Sequence, residues 1–81
     1  MRLDGNAAGG ILTEVFAMDV TAAQCTCVHC GATGEVAATE AYMRGPGLVL
    51  RCPRCEGVLL RVVRIRERLL IDTSGVRTLK M

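Results

Sequence analysis

Two hydrophobic rhythms divide the chain. In the first stretch Ile11, Leu12, Val15 and Phe16 recur at helical spacing and make one apolar stripe, with Thr13 and Glu14 off it. Asp4 and Asn6 stand upstream as candidate caps, and the Gly9-Gly10 pair weakens the start, so the pattern predicts a regular helix from near Gly10. Residues 1–19 therefore read as an amphipathic helical arm, and an amphipathic arm needs a surface to lie on: its own domain or a partner. From Val20 the rhythm changes to short apolar runs broken by glycine, proline and serine. Residues 35–44 and 48–51 flank Gly45-Pro46-Gly47, residues 58–66 and 69–73 meet at Glu67-Arg68, and Ser74-Gly75 turns the chain into residues 76–79. Such runs predict a meander of antiparallel strands over residues 20–81, in one domain with the arm.

The cysteines fix how the strands are joined. Cys27-Val28-His29-Cys30 and Cys52-Pro53-Arg54-Cys55 are two Cys-x-x-Cys pairs, a pattern that sets two chelating turns around one tetrahedral ion. Four thiolates fill that shell and leave no open position for water or substrate, so the expected role is structural. The fold class that follows is a small metal-stabilised α+β domain, a helical arm plus zinc-ribbon hairpins, with Zn2+ as the ion and iron as the alternative. Gly31 and Gly57 follow the two turns and suit the positive backbone angles found there. His29 inside the first pair is surplus to a complete shell and is expected in solvent. Cys25 stands too close to Cys27 for a chelate turn and is expected to be a free or half-buried thiol, open to a thiol reagent unless burial slows it.

Composition explains the need for an ion. The chain has 81 residues with one Phe, one Tyr and no Trp, so its core must be built from aliphatic side chains that each bury less area than a ring. Structural zinc contributes on the order of 10 kcal/mol to small modules. Five cysteines are an odd number, no basic-plus-apolar leader opens the sequence, and no apolar run has the length of a membrane span. A reduced, cytoplasmic protein is expected.

The segments LDGNAAGGILTEVFAMDVTAA, CVHCG, GLVLRCPRCEGVLLRVVR and DTSGVR resemble a family of small uncharacterised actinobacterial proteins, a domain of unknown function. The resemblance runs over nearly the whole chain. It implies a zinc-ribbon-like fold with Cys27, Cys30, Cys52 and Cys55 as ligands, and no established activity.

Charge is unevenly spread, acidic in the first half and basic in the second, within a net of +2. Arg64 and Arg66 alternate with Val63 and Ile65, which places the two arginines on one strand face, with Arg68 extending the row. This is either a solvated face paired to Asp and Glu or a contact surface, and we expect it to meet an acidic protein. Nucleic acid is the alternative partner, but two aromatics leave little for bases to stack on. Rubredoxin-like electron transfer shares the knuckles alone, without the aromatic, acidic core. No Ser-His-Asp set, carboxylate pair or phosphate-binding glycine loop is present, and a non-enzyme with no small-molecule substrate is expected.

Overall fold

The computed structural model describes residues 2–44 and 47–81. The order of elements is β1 (Arg2–Asp4), a 3-10 turn (Gly5–Ala8), α1 (Gly9–Phe16), β2 (Gln24–Cys27), β3 (Thr33–Glu35), a second 3-10 turn (Val36–Ala38), β4 (Glu40–Arg44), β5 (Gly47–Arg51), β6 (Val58–Ile65), β7 (Arg68–Asp72) and β8 (Val76–Lys80). The strands form a five-stranded sheet in the order β1-β4-β5-β6-β7 and a three-stranded sheet in the order β3-β2-β8. All pairings are antiparallel.

The N-terminal segment is only partly helical. Asp4 lies in β1 and Asn6 in the 3-10 turn, so neither caps α1, whose N-cap is Ala8 with no side-chain hydrogen bond. Gly5 explains the detour: a Cβ there would lie 1.8 Å from the Val36 carbonyl oxygen, so only a glycine lets the first turn meet the second. The helix ends where Ala17 adopts a left-handed conformation (φ 59°). Asp19 then holds the next turn by accepting from the Thr21 amide (2.9 Å) and hydroxyl (2.7 Å).

The predicted apolar stripe is the packing face. Leu12 is fully buried, and Ile11, Val15 and Phe16 pack against the core made by Val20, Leu48, Leu50, Leu60 and Val62. Truncating a side chain as buried as Leu12 to Ala costs about 2–5 kcal/mol.

Two strand predictions change on contact with the structure. Residues 35–44 are not one strand, because Val36 and Ala37 donate to the Ala23 and Thr21 carbonyls and Thr39 folds back onto Val36 with both its amide (3.1 Å) and its hydroxyl (2.7 Å). Buried Thr39 is thereby satisfied within a 3-10 turn rather than a ladder. The strand after Ser74-Gly75 does not continue the meander either: β8 leaves β7 and pairs with β2, Cys25 opposite Leu79. Gly75 makes the crossing possible by lying against β6, where a Cβ would sit 1.8 Å from the Val58 carbonyl oxygen. Its amide donates to Leu59 (3.1 Å) and its carbonyl accepts from Val28 (2.9 Å), so one residue joins the two sheets. The turn between β4 and β5 was expected at Gly45-Pro46-Gly47, of which Gly45 and Pro46 lie outside the described residues.

A bulge sets the faces of β6. The β5–β6 ladder slips between Leu50 and Arg51, so that Leu50 faces Leu60 while Arg51 faces Val58. Leu59 is the extra residue of this bulge, and Leu59 and Leu60 are both buried in consequence. Beyond it Leu60, Val62 and Arg64 share the helix-covered face, while Arg61, Val63 and Ile65 share the open one.

Candidate metal centre

The two Cys-x-x-Cys turns sit at the ends of two hairpins, one between β2 and β3 and the other between β5 and β6, and they are built alike. In the first, the Cys27 amide donates to the Ala32 carbonyl (2.8 Å) and the Gly31 amide to the Cys27 carbonyl (2.9 Å); in the second, Cys52 donates to Gly57 (2.9 Å) and Glu56 to Cys52 (2.9 Å). Gly31 takes the left-handed position of the first turn (φ 76°), as expected, but Glu56 and not Gly57 takes it in the second (φ 62°). A non-glycine residue in that conformation costs about 1–2 kcal/mol, which the repeated hydrogen bonds hold in place.

Gly57 is small for another reason. A Cβ there would lie 2.5 Å from Cδ2 of His29. His29 is exposed yet not idle, because its ring crosses from the first turn to the second and its Nε2 donates to the Val58 carbonyl (3.2 Å). That contact requires the proton on Nε2 and clamps the two turns together. The spacing of His29 within the knuckle carries no signal of this role; the glycine two residues beyond Cys55 does.

The four sulfurs of Cys27, Cys30, Cys52 and Cys55 all lie within 4.8 Å of one another. Cys27 and Cys55 are 3.7 Å apart across the hairpins, and so are Cys30 and Cys52. Both values exceed a disulfide bond by far and match the edge of a tetrahedron with a metal–sulfur distance near 2.3 Å, about 3.8 Å. The donor set therefore fits a tetrahedral ion. Cys27 and Cys52, the first of each pair, are buried on the core; Cys30 and Cys55 face out. The Arg54 amide points at the Cys52 sulfur and the Gly57 amide at the Cys55 sulfur, each at 3.4 Å, as is usual for groups that stabilise thiolate ligands.

The thiols are unequal. Burial pushes Cys52 up, but the amides of Cys55 and Arg54 and the thiols of Cys30 and Cys55 outweigh it and bring its pKa down to about 7. Cys55 goes the other way: the Gly57 amide lowers it, yet burial and the three neighbouring cysteines together push it up to about 11. The cluster thus holds Cys52 closer to its thiolate form than Cys55.

Cys25 is not in the cluster. It lies on β2 facing the core at 6% exposure, and burial, then the Cys52 and Cys27 charges, push its thiol up. It is a free cysteine, as expected, and an enclosed one, which argues for slow reaction with thiol reagents.

The arginine row is also redistributed. Arg64 closes onto Glu14 of α1 (2.7 Å), which is the intramolecular pairing. Arg66 has left the strand for the two-residue turn between β6 and β7, with φ 57°; it no longer shares a face with Arg64. Arg68 begins β7 opposite Ile65 on the open face. Arg61, which the sequence reading passed over, meets Asp72 across the same ladder at 3.4 Å.

A small α+β domain with two antiparallel sheets and four clustered cysteines is thus defined, of a kind able to hold a metal ion. The chain belongs to a family of unknown function, DUF6510, whose model matches residues 1–81. No curated protein and no solved structure matches it. Among the described residues no helix is long and apolar enough to cross a membrane.

Proposed function

We propose that Cys27, Cys30, Cys52 and Cys55 hold one structural Zn2+ in a zinc-ribbon-type site, and that the chain works without catalysis as a small interaction or accessory module. The observation that carries this is the tetrahedral match of the sulfur separations. A four-thiolate shell is closed, so it offers no position for substrate, while its contribution to folding is large. Unpaired thiols kept for a metal suit a reducing, cytoplasmic setting.

A protein partner is favoured over single-stranded nucleic acid by how the aromatics are used. Phe16 packs on the core, and the Tyr42 ring is already under the Arg51 guanidinium at 5.7 Å, so neither is left as a stacking platform. The basic residues open to an acidic surface are Arg66 and Arg68, both exposed and in no ion pair with a described residue. Arg64 is held by Glu14 and contributes less.

Elemental analysis and an absorption spectrum of the purified chain test the metal. One zinc per chain and no visible band are expected, with loss of sheet signal in far-UV circular dichroism on chelation; a red protein with iron absorption supports rubredoxin-like electron transfer in its place. Metal-free protein whose spectrum a chelator leaves unchanged would overturn the structural-ion reading. Retardation of mixed oligonucleotides at physiological salt, abolished by Arg66→Glu with Arg68→Glu, would move the partner to nucleic acid.

A further inference from the structure

The five-stranded sheet ends on an open edge. β7 pairs with β6 on one side and with no described element on the other, yet it carries Leu70 at 61% and Ile71 at 42% exposure, beside Ile65 at 55%. Natural sheets guard such edges with charges, prolines, bulges or a covering element. The interior of β7, Leu69-Leu70-Ile71, has none of the first three; charge is confined to its two ends, Arg68 and Asp72.

That arrangement is self-complementary. The two-residue turn at Arg66-Glu67 makes Ile65 and Arg68 a closing hydrogen-bonded pair, so in β7 the backbone groups of Arg68, Leu70 and Asp72 point at β6 and those of Leu69 and Ile71 point outward. An antiparallel copy of the same strand, centred on Leu70, places Leu69 opposite Ile71 of the second copy as the hydrogen-bonded pairs. It places Leu70 against Leu70, and Arg68 against Asp72, as the closer non-bonded pairs. Ladder phase, apolar contact and charge agree in this one register. A shift by one residue puts outward-pointing groups against inward-pointing ones, and a shift by two sets a charge against an apolar side chain.

We infer that β7 is a self-association edge, through which two copies of this chain join their five-stranded sheets about a two-fold axis at Leu70. This deepens the interaction reading above by naming one partner, and rests on it only in treating this end of the molecule as a contact surface. Asp72 is prepared for the role: its Oδ1 accepts from the Ser74 amide (2.9 Å) and its Oδ2 from Arg61 (3.4 Å), which fixes the carboxylate on the open face with its side chain still 40% exposed. Those two bonds, that from Ser74 first, hold its carboxyl below the usual range, so it is charged at neutral pH. Arg68 of the second copy completes a row of Arg, Asp and Arg. Because the axis is two-fold, each copy spends its β7 edge and the assembly closes at two.

Sedimentation velocity of the metal-loaded chain between micromolar and millimolar concentration should show a reversible monomer–dimer equilibrium that weakens with salt. Arg68→Asp sets two acids against each other at both ends of the ladder and should raise the dissociation constant about tenfold; Leu70→Lys puts two ammonium groups on the axis and should leave monomer only. Both side chains are exposed and remote from the cysteines, and retained metal with unchanged circular dichroism verifies that each variant is folded. Amide exchange gives the register: Leu69 and Ile71 should become protected as concentration rises while Leu70 is protected throughout. A metal-loaded chain that is monomeric at millimolar concentration, or a dimer untouched by Leu70→Lys, overturns the inference and leaves the metal-module reading standing; loss of metal in the parent chain would count against that reading instead.

Discussion

Gly75→Ala is the most demanding test of how the two sheets are joined. The added Cβ would stand 1.8 Å from the Val58 carbonyl oxygen and 2.7 Å from the Leu59 Cα, both backbone atoms of β6. Carbon–oxygen contacts of this kind settle at roughly 3.3–3.6 Å, so β6 and the Gly75 segment must separate by about 1.5 Å. Neither hydrogen bond through Gly75, 3.1 Å to Leu59 and 2.9 Å from Val28, survives such a shift. Two lost bonds at about 1 kcal/mol each, with about 1–3 kcal/mol of overpacking strain, give a destabilisation of about 3–5 kcal/mol. For a domain of this size that lowers the melting temperature by about 12 °C or more. Val28 lies inside the first Cys-x-x-Cys turn, so the variant should also surrender its metal to a weaker chelator. The assays are thermal melting of the metal-loaded protein and competition with a chromophoric chelator. Gly10→Ala is the control, since nothing lies within 4 Å of a Cβ there and the helix should gain about 0.5–1 kcal/mol. A Gly75→Ala protein that melts within two or three degrees of the parent and holds its metal equally well would refute the reasoning.

Two further outcomes are expected. Glu56→Gly relieves the left-handed strain of the second turn and should raise the melting temperature by about 4–8 °C, about 1 kcal/mol, whereas Gly31→Ala should lower it similarly; equal and negligible effects would show that the two turns do not share the backbone geometry described. Cys25 in the folded, metal-loaded chain should be alkylated by iodoacetamide far more slowly than in the denatured chain, as read by mass spectrometry. Its folded pKa is raised, so the neutral thiol contributes stability below the ordinary thiol range and that contribution is lost as pH rises through the raised value. Labelling at neutral pH as fast as in the denatured control would contradict the burial.

The strand boundaries after Gly47 were legible because turn residues punctuate them: 48–51 and 69–73 fall within a residue of β5 and β7, and Ser74-Gly75 is the turn before β8. The cysteine cluster was legible for the same kind of reason, since a chelate turn is a local object fixed by spacing. What escaped was non-local. Nothing in residues 76–79 reveals that the strand pairs with β2 rather than β7, because both choices bury the same aliphatics. The run Leu59-Leu60-Arg61-Val62-Val63-Arg64 carries apolar residues on both phases of the alternation, so only the bulge at Leu59 decides which face α1 covers, and with it that Arg64 finds Glu14. Cys25 looked reactive because cysteine spacing says nothing of burial.

The crossing of β8 to β2 has a kinetic side. Cys25 and Leu79 meet across about two thirds of the chain, a closure whose entropic cost falls by about 0.6 kcal/mol for every halving of the loop. An ion that ties Cys27 and Cys30 to Cys52 and Cys55 shortens the segment left to close to the stretch beyond the second turn, about half the original loop. The metal would then act as a folding catalyst of sorts for the small sheet, and refolding should be faster when the ion is present from the start than when it is added after collapse.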